Sequence, residues 1–79
     1  MNNYTIIEMA IRQEYTRATS TYPRFHSGHE GLAVIMEEFD ELKQEVYKKP
    51  AKVDKELMRK EAIQVAAMAI RFIMDICDE

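Results

Sequence analysis

The sequence predicts an all-α protein: three helices in an antiparallel bundle completed by homo-oligomerisation. Three observations carry this. Apolar residues recur at spacings of three and four. The two prolines, Pro23 and Pro50, fall where that pattern breaks and divide the chain into three segments. The third segment is apolar on nearly every side, so it must be covered on every side, which two other helices of one 79-residue chain cannot do. Residues 1–79 read as a single domain of a size at which a lone core is marginal.

The first helix spans about Asn3 to Thr19. Ile7, Ala10, Ile11, Glu14, Tyr15 and Ala18 recur at helical spacing, with Tyr4 one turn earlier. Thr16, Thr19, Ser20 and Thr21 weaken its end, and Pro23 pushes Tyr22 towards extended geometry. The second helix spans about Gly28 to Tyr47. Ser27 followed by Glu30 is a capping-box pattern. Leu32, Ile35, Phe39, Leu42 and Val46 then form a narrow apolar seam. Lys48 and Lys49 suit the negative end of the helix dipole, and Pro50 closes it. The third helix starts near Asp54, a reasonable N-cap, and runs to about Cys77. Ala62, Ala66, Ala67 and Ala69 on it permit close helix approach.

Composition removes several functions. A net charge of −3 gives no basic footprint, so specific nucleic-acid binding is not expected. The N-terminus lacks the features of a signal peptide. The stretch Ala62–Cys77 is interrupted by Gln64, Arg71 and Asp75 and is too short and polar to span a membrane. One cysteine, Cys77, excludes an internal disulfide framework and fits a reducing, cytoplasmic setting. Cys77 has no activating neighbour in the sequence, and Gly28 and Gly31 do not make a Gly-rich phosphate loop. The six methionines suit a core and an oligomer interface.

Helical geometry sorts the acidic residues into faces. Glu38, Glu41 and Glu45 form one stripe at the border of the apolar seam of the second helix. Glu61, Gln64, Arg71 and Asp75 form the polar stripe of the third. If these helices pack antiparallel, three or four oxygen-bearing side chains converge, which is how a hard cation such as Mg²⁺ is held. The competing reading is a solvated glutamate face with surface pairs such as Glu45 with Lys48 or Lys49. Against it, Glu61 begins a buried helix, where an unpaired carboxylate is costly. His26 and His29 lie at a helix start and, being the only histidines, cannot complete a zinc site. His29 and Arg71 are the candidate substrate contacts; Arg71 stands out because it interrupts an apolar helix.

The stretches HSGHEGLAVIMEEFDEL and LMRKEAIQVAAMAIRFIMD, joined by a basic loop, resemble the MazG-like all-α nucleoside triphosphate pyrophosphohydrolases, especially the short phage and bacterial members. The family signature is Glu-x-x-Glu on one helix and Glu-x-x-Asp on the next. Glu38 and Glu41 match the first half, Glu61 matches the start of the second, and Gln64 stands where the family has Asp. The resemblance implies an oligomeric helical bundle, a homodimer or dimer of dimers, with Mg²⁺ (or Mn²⁺) as cofactor. It implies water attack on the α-phosphate of a nucleoside triphosphate, giving the monophosphate and pyrophosphate. Carried over by position, Glu38, Glu41 and Glu61 are the catalytic residues, as metal ligands or in orienting the water; Gln64, at the position of the motif Asp, and Asp75, which such a site could recruit from further along the helix, are the second-tier metal ligands. Gln64 adds no charge and is no general base. The alternatives left open are a catalytically impaired relative that binds nucleotide or protein, and a purely structural helical oligomer.

Overall fold

Capping side chains set where each helix begins. The computed structural model describes residues 2–79, and among them there are three α-helices and no strand. α1 runs Asn3–Thr21, opened by Asn2, whose side chain accepts from Thr5 N. α2 runs Gly28–Val46, with Ser27 accepting from Glu30 N and Glu30 accepting in return from His26 N at 2.8 Å. That is the capping box expected from the sequence. A 3₁₀ turn, Pro50–Lys52, separates α2 from α3, Lys55–Phe72. Asp54 caps α3 by accepting from the backbone of Glu56 and Leu57.

Two helix ends differ from the sequence expectation for local reasons. α1 reaches Thr21 because the hydroxyls of Thr19, Ser20 and Thr21 bond back to carbonyls one turn earlier instead of competing with the helix. α3 does not run unbroken to Cys77: it gives way at Ile73–Cys77 to a π turn, which carries Asp75.

α3 is the shared element, packing against both α1 and α2. The buried apolar core is small: Ala18 from α1, Phe25 from the α1–α2 connection, and Ala67 and Met68 from α3. Ile11, Tyr15, Val34, Ile35, Phe72 and Ile76 pack around it. The molecule is a slab of 44 × 32 × 19 Å. The expected seam of α2 is split by this arrangement. Ile35 and Leu42 are half-buried, whereas Leu32, Phe39 and Val46 are exposed, so the packed side of α2 takes in Glu38. The all-round apolar character of the third segment leaves Ile70, Ile73 and Met74 uncovered within one chain.

One close approach depends on a missing side chain. A Cβ on Gly31 would lie 2.7 Å from Phe72 and 3.0 Å from Phe25. Gly31→Ala gains helix propensity of about 1 kcal/mol but must displace two rings of the core, at about 1–3 kcal/mol. The expected outcome is a net loss of about 1 kcal/mol, read from the urea midpoint at constant slope.

Candidate metal centre

Glu38 and Glu41 are one turn apart on α2, and Glu61 lies on the adjoining part of α3. Packing of these two helices brings one carboxylate oxygen from each within 4.8 Å of the others. Glu38 and Glu61 are half-buried and Glu41 is exposed. Gln64, one turn beyond Glu61, joins them. With its amide nitrogen turned to the carboxylates, it donates to Glu38 Oε2 at 2.8 Å and Glu61 Oε2 at 3.1 Å. Glu45 instead pairs with Lys48 at 2.7 Å, the surface pair considered from the sequence.

The electrostatics record the crowding. Burial, then the neighbouring Glu41, Glu61 and Glu14, push the Glu38 carboxyl up to about 7. Burial and Glu41 raise Glu61 as well, with Lys60 opposing. Like charges at this separation repel, and lost hydration adds to the cost. The trio fits a divalent cation by its donor chemistry. Three carboxylates are hard oxygen ligands, and they leave part of an octahedron for water or phosphate oxygens.

The sign of the pH dependence follows. Glu38 titrates near 4.5 when unfolded and about 7 when folded, so the native state binds its proton more tightly. The stabilisation is complete below the unfolded value and is lost as pH rises through about 7. In a metal-free buffer the melting temperature is therefore expected to fall across this window. If the trio takes a divalent cation, added Mg²⁺ is expected to raise it again above pH 7, and Glu38→Gln to flatten both responses.

Asp75 and Arg71 are placed elsewhere. Asp75 is buried, and its Oδ2 accepts from Phe25 N at 3.1 Å while Oδ1 pairs with Arg24 Nε at 3.5 Å. It fastens the α1–α2 connection to the end of α3; its carboxylate is committed there and does not join the glutamate trio. Arg71, 3% exposed, donates to Pro23 O at 2.9 Å and lies over the Phe25 ring at 4.3 Å. His29 is exposed at the start of α2 and is not among the residues lining either cleft below.

Two clefts meet at Gln64, and one of them has a trio member, Glu38, on its wall. One, about 390 Å³, has Glu38 and Gln64 on its wall together with Tyr22, Phe25, Met68 and Arg71. The other, about 420 Å³, lies between α1 and α3 and includes Arg17, Arg59, Lys60 and Gln64. Sequence reasoning missed Tyr22, Arg59 and Lys60 as possible contacts. Arg59 and Lys60 directly precede Glu61, a signal that could have been read; nothing in the local pattern marks Tyr22.

Comparison with protein-family models, with curated proteins and with solved structures finds no match for this chain. Among the described residues no helix is long and apolar enough to cross a membrane.

Proposed function

We propose that this chain is a Mg²⁺-dependent nucleoside triphosphate pyrophosphohydrolase of the MazG-like kind, acting in the cytoplasm as a homodimer or dimer of dimers. The observation that carries the proposal is the convergence of Glu38, Glu41 and Glu61 within 4.8 Å, from two helices, beside a cleft that has Glu38 on its wall. Glu38, Glu41 and Glu61 would hold Mg²⁺ (or Mn²⁺), which would supply charge neutralisation for a polyphosphate and lower the pKa of a water molecule. The water oxygen would bond to the α-phosphorus as the bond from that phosphorus to the bridging oxygen breaks; the nucleoside monophosphate keeps the new oxygen, pyrophosphate leaves with the bridging one, and the water proton passes to solvent. Gln64 restrains Glu38 and Glu61 through its amide. The test is pyrophosphate release from a panel of nucleoside triphosphates with and without Mg²⁺. Turnover that requires the cation is expected; no turnover of any member overturns the proposal.

The oligomer is supported by surface that one chain leaves open. The single chain exposes 6084 Å², against about 5,000 Å² for a compact protein of this mass. The excess is of the order of one partner's share, about 800 Å², in a stable interface. Leu32, Met36 and Phe39 on α2, with Ile70 and Ile73 towards the end of the third segment, supply apolar area for it. The antiparallel bundle is then completed between copies. Light scattering is expected to give twice or four times the chain mass, and Phe39→Glu to give the monomer.

A second reading is a nucleotide- or protein-binding relative without turnover. It is favoured by the neutral Gln64 amide, which satisfies two of the carboxylates that a stronger metal site would leave free. Calorimetry with a non-hydrolysable analogue and Mg²⁺ separates the two: this reading expects binding without product.

A further inference from the structure

Gln64 links the two helices that carry the trio. Its amide nitrogen reaches Glu38 Oε2 on α2 at 2.8 Å and Glu61 Oε2 on its own helix at 3.1 Å. A primary amide has two N–H donors, and here each goes to a different carboxylate. Both bonds end on a charged acceptor, which makes them stronger than bonds between neutral groups. Three carboxylates gathered within 4.8 Å need a partner that offers positive charge, and these donors supply a share of it.

The same amide carries a second chemistry. Its oxygen and nitrogen are nearly equal in size, so a half-turn about the last side-chain torsion exchanges them and leaves the outline of the side chain unchanged. With the oxygen inward, Gln64 offers a neutral, hard ligand of the kind Mg²⁺ accepts. With the nitrogen inward, it turns the positive ends of its N–H bonds towards any cation held by Glu38 and Glu61. One orientation suits the carboxylates alone and the other suits the carboxylates with a cation. The side chain is half-buried and forms part of the wall of both clefts, so solvent and small ions reach it. A carboxylate at this position has no such choice, because an ionised carboxylate only accepts.

We propose that Gln64 exchanges the two faces of its amide with the cation: its N–H groups hold Glu38 and Glu61 together when no cation is bound, and its carbonyl oxygen turns inward as a ligand when one is. This deepens the metal-dependent reading above and rests on it for the identity of the ion. Binding then has to break two hydrogen bonds, so the amide lowers the affinity for the cation while keeping its ligands assembled.

The experiment uses the full chain labelled with ¹⁵N and Mg²⁺ alone as the probe. The side-chain amide signals of Gln64 are assigned by their absence from Gln64→Glu, or from Gln64→Met if the first variant does not fold. With Mg²⁺ both amide protons are expected to move upfield, towards the positions of a solvated glutamine, with the midpoint that calorimetry gives for Mg²⁺ binding. Sodium chloride at equal ionic strength is expected to leave them in place. Gln64→Glu, of the same length, is expected to bind Mg²⁺ roughly tenfold more tightly in mildly alkaline buffer, where the added carboxylate is ionised. Mg²⁺ binding that leaves the Gln64 signals unmoved, equal shifts with sodium chloride, or no gain in affinity in Gln64→Glu overturns the exchange and leaves the hydrolase reading standing. No binding of Mg²⁺ overturns both. Signals that move with Mg²⁺ in a chain that hydrolyses no triphosphate uphold the exchange and remove the hydrolase reading alone.

Discussion

Glu38→Gln is expected to remove Mg²⁺-dependent pyrophosphate release while leaving the protein as stable or more stable at neutral pH. Loss of an outer-shell partner of a metal site already costs about 10–100-fold in affinity or activity, and Glu38 would be a direct ligand, so a larger loss is expected. The amide keeps the side-chain volume and removes one of three mutually repelling carboxylates. Burial and the adjacent Glu41 and Glu61 are what push Glu38 up to about 7, so neutralising it relieves the fold above that pH. Steady-state kinetics and thermal melts on the same sample check both halves. A variant that keeps its turnover would exclude Glu38 from the chemistry. One that loses turnover and stability together would point to a folding role instead.

Asp75→Ala is expected to cost about 2–3 kcal/mol, because it leaves the buried Phe25 N–H without its acceptor and frees Arg24. For a chain of this size that lowers the melting temperature by about 10–20 °C. The rise in melting temperature produced by Mg²⁺ should be the same in variant and parent, since Asp75 is committed to the connection. A variant of parental stability that no longer responds to Mg²⁺ would return Asp75 to the metal site, as the sequence had suggested.

The difference between Glu38 and Asp75 shows what was legible in the chain. Helix starts were, because Ser27 and Asp54 act on amides two or three residues away. The carboxylate trio was also legible: a three-residue spacing puts Glu38 beside Glu41, and a short Pro50 connection brings Glu61 to them. Asp75 looked like a fourth ligand because it shares the polar stripe of Glu61 and Gln64. Its partner is a backbone amide 50 positions earlier, which no periodicity reveals. The π turn that carries it is equally invisible in the pattern, as is the division of the α2 seam into a packed half and an open half. Arg71 stood out as a charge in an apolar run, but its grip on Pro23 and Phe25 depends on the path of the connection.

That grip has a bearing on how the protein is made. Pro23 and Phe25 are held by Arg71 and Asp75, so this part of the core joins positions about fifty apart. On the ribosome, where chains emerge at about 5–20 residues per second, α1 and α2 can be helical while Phe25 still has nothing to fasten it. Chains that end before Arg71 therefore lack both side chains that hold Pro23 and Phe25 in place, and their α1–α2 connection is expected to be the first site cut in limited proteolysis.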